Sequence, residues 1–290
     1  MPRLVWLNGE ISPLESAVTS VADHAHLYGD GLFEGIRIYH GKVFKLDEHL
    51  ARLYTGIAYL GFDMKIKKDE LRAIVLDVCK RAGLDEAYIR LNVTRGTGLG
   101  LDPKNIDKTP NVMVMISTLN LYPPETFELG LQVVTSPVRV IGADALDPRV
   151  KCIGRYAANI LAKHHANRVG AGDALMLNNQ GYVAEGTGNN LFLVKDRVVR
   201  TPSPSTGILQ GITRDTVIQL ARGAGYEVRE EFLTLLDVYS ADEAFFTGTA
   251  TEVIPMTLLD GVKIGCGTPG QVTQQLMKLF QEHTHTGVAY

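Results

Sequence analysis

The sequence predicts an α+β fold with two domains. Segments with strand-like alternation and segments with helical periodicity do not alternate regularly along the chain, which favours antiparallel or mixed sheets over a doubly wound parallel sheet. The length of 290 residues fits two domains of ordinary size or one large domain. The segment LNLYPPETFELG contains consecutive prolines and no clear periodicity, so it is the candidate linker. The expected division is residues 1–118, a linker at 119–127, and residues 128–290.

In the first half, two hairpins precede two helices and two longer strands. Turn-forming pairs at 8–9 and 40–41 separate short segments of strand character. Apolar residues then recur at helical spacing after Asp47 and after Asp69, and both acids are predicted to be helix N-caps. Gly83 is expected to end the second of these helices. Alternating residues predict strands around Tyr88–Thr94 and Val112–Ser117.

In the second half, strands and helices are separated by glycine-rich turns. Strands are predicted in LQVVTSPVRV, DALMLN, NLFLVK and EAFFTG. Helices are predicted from about Arg155 to Val169, from about Thr213 to Ala224, and near Gln271–Phe280. The 29 glycines of the chain exceed the usual share of about 7% and predict many tight turns and close approaches to the backbone.

The composition excludes several classes of function. A formal net charge of −3 gives no electrostatic reason to expect nucleic acid or an anionic membrane as a partner. The three cysteines are widely spaced, which argues against a disulfide framework and favours a reducing cytoplasm. No signal peptide or membrane-spanning segment is recognised. Three close histidine pairs lack a neighbouring carboxylate or cysteine at ligand spacing, so no metal site is expected.

Four features of the second half could carry chemistry. Lys151 lies between a strand-like segment and a helix, where it is either a solvated lysine or a nucleophilic amine with a lowered pKa. Residues 211–215 open a helix, either as an ordinary capped start or as a phosphate site. The turn 248–251 could add backbone donors. Glu185, beside an apolar strand, is either a surface charge or the partner of a buried cationic nitrogen.

Together these features are the parts that pyridoxal phosphate requires. A lysine binds the cofactor covalently, a helix start receives its phosphate, and an acid keeps its pyridine nitrogen protonated. A phosphate-binding protein without catalysis would use the same helix start and a structural lysine, and it remains the alternative from another class.

The sequences of the motifs and their order along the chain resemble those of the class IV aminotransferases, the fold-type IV pyridoxal-phosphate enzymes. Among these, they most resemble the branched-chain amino acid aminotransferases. The resemblance implies a smaller N-terminal α/β sandwich and a larger C-terminal domain with a β-barrel-like core, the cofactor lying between the domains. The matching segments are LYGDGLFEGIR (27–37), LDEHLARL (46–53), AYIR (87–90), KCIGRY (151–156), GYVAEGTGNNLFLV (181–194), GILQGITRDTVIQLA (207–221) and FFTGTATEVIP (246–255).

The resemblance assigns the cofactor, pyridoxal 5'-phosphate, to a specific set of residues. Lys151 matches the Schiff-base lysine, which also moves a proton between the substrate Cα and C4′ of the cofactor. Glu185 matches the acid on the pyridine nitrogen, and Tyr156 matches the tyrosine that bonds the phenolic oxygen. Leu209 matches the leucine that packs on the pyridine ring. The phosphate is assigned to Arg52, Gly211, Ile212, Thr213 and Thr249.

The resemblance also assigns the substrate site. Tyr88 and Arg90 match the pair that handles substrate carboxylates, and Arg90 is the candidate cation at the edge of an apolar pocket. Tyr28 and the loop near Leu101 correspond to a neighbouring subunit's contribution, which implies at least a homodimer. The remaining assigned residues are the backbone amides of Thr249 and Ala250 and the aromatic walls Tyr28, Phe33 and Tyr122.

The implied activity is transamination of L-leucine, L-isoleucine and L-valine with 2-oxoglutarate, in cytoplasmic branched-chain amino acid biosynthesis. A D-amino acid or (R)-amine transaminase of the same fold is the alternative, and aminodeoxychorismate lyase is a third. The chain departs from many relatives at Leu119, Arg155 and Gln210, which leaves the amino donor open.

Overall fold

The computed structural model describes residues 4–107, 109–119 and 121–290. This part of the chain forms two compact units. The first comprises the residues up to Leu119 together with Val150–Tyr156 and Thr284–Tyr290, and the second comprises the remaining residues. The domain boundaries expected from the sequence remain a prediction.

The first unit contains a sheet of seven strands within the described residues, in the order β16-β4-β3-β5-β6-β1-β2. Both expected hairpins are present: Leu7 pairs with Glu10, and Tyr39 pairs with Lys42. The elements are β1 (Leu4–Leu7), β2 (Glu10–Pro13), α1 (His24–Tyr28), β3 (Gly31–Tyr39), β4 (Lys42–Val43), α2 (Leu46–Leu60), α3 (Lys68–Ala82), β5 (Ala87–Thr94), β6 (Val112–Ser117) and β16 (Val288–Ala289).

Burial in this sheet follows the alternation of the sequence. Along β5, Ala87, Ile89, Leu91 and Val93 are buried, and the residues between them are partly exposed. Because successive side chains of a strand point to opposite faces, the partly exposed residues share one face. Helix α2 packs on β3, and α3 packs on β6 and β1. Of the apolar stripes predicted from periodicity, Leu50, Leu53 and Ile57 in α2 and Leu71, Val75 and Val78 in α3 are buried, while Leu60 and Ile74 are partly exposed.

The second unit is built on a mixed sheet of nine strands within the described residues. Strands β9, β8, β7, β14, β13 and β10 pair in succession, and β10 pairs again with β9, so six strands close a barrel. The elements are α4 (Glu125–Leu129), β7 (Leu131–Thr135), α5 (Tyr156–Arg168), β8 (Asp173–Leu177), β9 (Val183–Glu185), β10 (Asn190–Lys195), β11 (Val198–Pro202), α6 (Ile212–Gly223), β12 (Val228–Glu231), α7 (Leu235–Tyr239), β13 (Glu243–Gly248), β14 (Glu252–Leu259), β15 (Val262–Lys263) and α8 (Gln271–His283).

The barrel is filled largely by aliphatic residues from its strands. Leu131, Leu175, Leu191, Phe246 and Ile254 belong to one buried cluster. Strand β7 pairs in parallel with β14 and β8, while β13 pairs antiparallel with β10 and β14. The predicted α+β class with mixed sheets and a barrel-like core in the C-terminal half is confirmed.

Two predicted helix caps are wrong. Helix α2 begins at Leu46 after Lys45, and α3 begins at Lys68 after Lys67, so Asp47 and Asp69 both lie in a first turn. An acid in that turn still favours the helix through the helix dipole, which explains why both acids looked like start signals. Gly83, with φ of +60°, does end α3 as predicted.

The three helices predicted in the second half lie within three residues of their predicted bounds, and the short helix α7 is an addition that the sequence did not indicate. The aperiodic segment with the two prolines contains a short helix, α4, which the sequence did not indicate. Within the described residues, no helix combines the length and the apolar character needed to cross a membrane.

Candidate active site

Lys151 is held against strand β3 by backbone contacts in the first unit. The amide of Phe33 donates to the Lys151 carbonyl at 3.2 Å, and Gly154 donates to the Gly29 carbonyl at 3.0 Å. A Cβ on Gly29 would lie 2.6 Å from the Gly154 Cα, and Gly29 has a φ of +71°. Glycine at position 29 therefore permits the close approach that brings Lys151 to this strand.

The Lys151 amine lies within a small aromatic cluster. Its Nζ donates to the Tyr156 hydroxyl at 2.6 Å and lies 4.6 Å from the centre of the Phe33 ring. The Phe33 and Tyr156 rings meet edge to face at 4.7 Å. The structure thus brings together three residues that the sequence assigned to cofactor and substrate.

The two residues assigned to substrate carboxylates, Tyr88 and Arg90, share the partly exposed face of β5. The Arg90 guanidinium stacks on Phe33, with Cζ 3.6 Å from the ring centre. A Cβ on Gly35, in the neighbouring strand β3, would lie 2.0 Å from the Tyr88 hydroxyl. Glycine at position 35 is therefore required for the observed position of Tyr88.

Arg52, assigned to the phosphate, belongs to a buried polar network. Its Nε and Nη2 donate to the two carboxylate oxygens of Glu34 at 2.8 and 2.7 Å, and His49 Nδ1 lies 2.7 Å from Glu34 Oε2. Burial alone would raise the pKa of Glu34, but the charge and hydrogen bonds of Arg52, with the His49 bond, lower it to about 2. Burial lowers the pKa of His49, against the opposing effect of Glu34. A neutral His49 therefore donates through Nδ1–H to an ionised Glu34.

In the second unit, Glu185 ends strand β9 as a buried carboxylate. Its Oε2 accepts from the Leu209 amide at 3.0 Å and from Asn190 Nδ2 at 3.2 Å. Asn190 Nδ2 also donates to the Leu209 carbonyl at 2.8 Å. Glu185 and Leu209, the predicted acid and the predicted ring-packing leucine, are thus linked directly and through the amide side chain of Asn190.

The start of α6 adjoins the same group. Gly211 is the residue before the helix and gives no side-chain cap, so the amides of the first turn depend on other partners. A Cβ on Gly211 would lie 2.1 Å from Asn190 Oδ1, which explains why glycine stands there. Ile212 begins the helix, and Thr213 beside it is buried.

The remaining predicted residues are Thr249 and Ala250, Tyr122, and Tyr28. Thr249 and Ala250 form the turn between β13 and β14. Tyr122 packs against the cluster of the barrel, and burial raises the pKa of its hydroxyl. Tyr28 ends α1 and is exposed, and its hydroxyl accepts from the Gly100 amide at 3.2 Å.

The sequence reasoning missed four polar residues of these groups. Glu34 and Asn190 each gave a signal, a polar residue within an otherwise apolar strand segment. His49 stands three residues before Arg52, on one face of α2. Asn92, which accepts from Arg90 Nε, gave no signal because a polar residue is ordinary on the exposed face of a strand.

Comparison with known proteins identifies the class to which this arrangement belongs. The family model described as amino-transferase class IV matches residues 31–259. This range contains Lys151, the Glu34–Arg52 pair and the Glu185 group. The chain belongs to the class IV aminotransferase family, and the resemblance inferred from the motifs is confirmed.

The individual relatives cover nearly the whole chain. A Methanocaldococcus jannaschii protein, whose name provisionally assigns it to the branched-chain-amino-acid aminotransferases, is 44% identical over 96% of this chain and 95% of its own. The Escherichia coli branched-chain-amino-acid aminotransferase is 35% identical over 95% of this chain and 91% of its own. A crystal structure of a branched-chain amino acid aminotransferase from Escherichia coli superimposes with a TM-score of 0.93, at 34% identity, over 97% of this chain and 94% of that one. The expected fold type IV is confirmed.

Proposed function

We propose that the protein transfers the amino group of L-leucine, L-isoleucine and L-valine to 2-oxoglutarate, with pyridoxal 5'-phosphate as cofactor. The observation that carries this proposal is the Phe33 ring, which meets both the Lys151 amine and the Arg90 guanidinium. The Phe33 ring offers an apolar wall for a branched aliphatic side chain, and Arg90 beside it offers a cation for the side-chain carboxylate of glutamate. Both substrates would thus lie next to the Lys151 amine. The names of the relatives support the same substrates.

The chemistry of the residues fits the cofactor. Glu185 offers a buried carboxylate to a cationic ring nitrogen, and Lys151 offers a primary amine. Gly211 leaves the start of α6 without a side-chain cap, which favours an anion at the first-turn amides. A solved relative carries N-(5'-phosphopyridoxyl)-L-glutamate. The proposed cofactor residues are Arg52, Lys151, Tyr156, Glu185, Leu209, Gly211, Ile212, Thr213 and Thr249.

In the proposed mechanism, three residues act on the reacting groups. The bound cofactor supplies a carbonyl carbon for the amino group and a ring that withdraws electrons from the substrate. Lys151 takes the proton from the substrate Cα and returns it to the cofactor carbon. Tyr156 orients the lysine amine through its hydroxyl, and Glu185 keeps the ring nitrogen protonated. The proposed substrate residues are Tyr28, Phe33, Tyr88, Arg90, Tyr122, Thr249 and Ala250.

A half-reaction screen tests this function. Purified holoenzyme is mixed separately with L-leucine, L-glutamate, D-alanine, D-glutamate and an (R)-amine, and the absorbance of the bound cofactor is followed. We expect L-leucine and L-glutamate to change the spectrum and the D-amino acids and the amine to have little effect. A response to D-amino acids or the (R)-amine alone would support the alternative transaminase activities. Release of pyruvate from aminodeoxychorismate would support the lyase, and a colourless protein insensitive to borohydride would support simple phosphate binding.

An apolar surface of the first unit supports a homodimer. Four aliphatic residues are exposed by about three quarters or more, and their segments are joined by bonds such as Gly98 N to Ala22 O at 3.0 Å and His24 N to Gly96 O at 2.8 Å. Large apolar side chains exposed in neighbouring segments favour an interaction site. We assign this surface to a second copy of the chain, in a cytoplasm where its three free cysteines stay reduced. The residues are Val18 (76%), Val21 (81%), Leu99 (73%) and Leu101 (77%).

Substitution Leu101→Asp should therefore weaken self-association. Burying a carboxylate in an apolar interface is expected to cost about 2 kcal/mol or more, roughly a thirtyfold rise in dimer dissociation constant. Sedimentation velocity over a dilution series measures this shift. Leu236→Asp is the control, since Leu236 is 75% exposed in α7 of the other unit. Equal association of wild type and Leu101→Asp would contradict the assignment of this surface.

A further inference from the structure

Asn92 holds the guanidinium of Arg90 from one side. The two residues stand two positions apart in β5, on its partly exposed face, and Arg90 Nε donates to Asn92 Oδ1 at 2.8 Å. The bond engages the Nε edge of the guanidinium. The end-on pair of N–H groups, one on each terminal nitrogen, therefore stays available for a ligand.

The Phe33 ring contacts the flat face of the same guanidinium. Phe33 lies directly opposite Asn92 in the antiparallel pairing of β3 and β5, and its ring centre is 3.6 Å from Arg90 Cζ. Stacking restricts the tilt of the guanidinium plane, and the Asn92 bond restricts its rotation within that plane. The two contacts together orient Arg90 before any ligand binds.

The partner of Arg90 is neutral, in contrast with the partner of Arg52. Arg52 forms a two-pronged ion pair with Glu34, whereas Arg90 makes no ion pair with any described residue. An arginine oriented by an amide and a ring retains its whole positive charge for a ligand. Such an arginine can bind a carboxylate through two parallel hydrogen bonds.

We propose that Asn92 is a specificity-determining positioning residue, which orients Arg90 for the side-chain carboxylate of the C5 dicarboxylate substrate. The inference rests on the proposed function, in which one pocket accepts both a branched aliphatic side chain and a dicarboxylate. Asn92 acts through Arg90 and does not touch the aliphatic substrate. Its loss should therefore affect one substrate class and spare the other.

Two substitutions of Asn92 distinguish the effect of orienting Arg90 from the effect of neutralising its charge. Asn92→Ala removes the acceptor and keeps the Arg90 charge uncompensated, and we expect KM for L-glutamate to rise roughly tenfold. Asn92→Asp keeps an acceptor in place but adds a carboxylate beside Arg90, and we expect a rise of roughly a hundredfold. In both variants kcat/KM for L-leucine should stay within about twofold of the wild type. Asn167→Ala, exposed on α5, is the matched control.

A binding measurement provides a readout independent of turnover. Calorimetric titration with glutarate, a dicarboxylate, and with 4-methylvalerate, a monocarboxylate, should show weaker binding of glutarate alone in both Asn92 variants. Equal losses for L-glutamate and L-leucine, or unchanged glutarate binding, would overturn the role of Asn92. If wild-type enzyme converts neither amino acid, the proposed function fails, and the glutarate titration still decides whether Asn92 orients Arg90.

Discussion

Replacing Lys151 by alanine is expected to reduce transamination by about 10⁴-fold or more, because the residue is assigned both covalent attachment and proton transfer. The structure supports this by placing its amine 2.6 Å from the Tyr156 hydroxyl and over the Phe33 ring, so that two contacts orient it. Single-turnover measurements with L-leucine give the rate of the first half-reaction. In the wild type, borohydride should fix the cofactor covalently to Lys151, and peptide mass spectrometry locates the modified residue.

Two controls make the Lys151 result specific. Lys80→Ala, at an exposed position of α3, should keep the wild-type rate and the borohydride-dependent mass increase. Added methylamine should restore part of the activity of the Lys151→Ala variant, because a free amine can replace the missing proton acceptor. Full activity of the variant, or modification of another lysine, would show that Lys151 is not the catalytic lysine.

Local periodicity accounts for the elements that could be predicted from the sequence. Strand β5 was expected at 88–94 and spans Ala87–Thr94, because alternation directly reports a half-buried strand. Helix α6 was expected from about Thr213 and begins at Ile212. For Lys151 and Glu185, local sequence leaves a surface position as the commoner alternative, and their assigned roles depend on the motifs around them, KCIGRY and GYVAEGTGNNLFLV.

Pairings between distant segments account for what could not be predicted. Asn92 meets Phe33 only through the register of two strands, which no local pattern specifies. Closure of the barrel depends on one pairing, Asn190 with Glu185, across a glycine-rich turn. The partner of Arg52 was missed for the same reason, since Glu34 lies in β3 and Arg52 lies in α2.

Substituting glutamine for Glu34 is expected to destabilise the protein by about 3–5 kcal/mol at pH 7, the usual cost of breaking a buried ion pair by removing one partner. The carboxylate is fully buried and binds two nitrogens of Arg52 and one of His49. Affinity for pyridoxal 5'-phosphate should also fall, because Arg52 loses the partner that orients it. Urea unfolding and fluorescence titration of the apoenzyme measure the two effects. If Glu34 acted only by its charge, its removal would instead strengthen binding of the anionic phosphate.

The loss of unfolding free energy in Glu34→Gln should depend on pH, and this dependence identifies the ion pair as the cause of the loss. The pKa of Glu34 is lowered from 4.5 to about 2 in the folded protein, which corresponds to about 3 kcal/mol. Because the folded pKa is depressed, this stabilisation is complete above about pH 4.5 and is lost as the pH falls towards 2. The difference in unfolding free energy between the variant and the wild type should shrink over that range. Glu48→Gln, which removes an exposed pair with Lys45, should cost only about 0–1 kcal/mol, so an equal effect of the two substitutions would refute the buried pair's contribution.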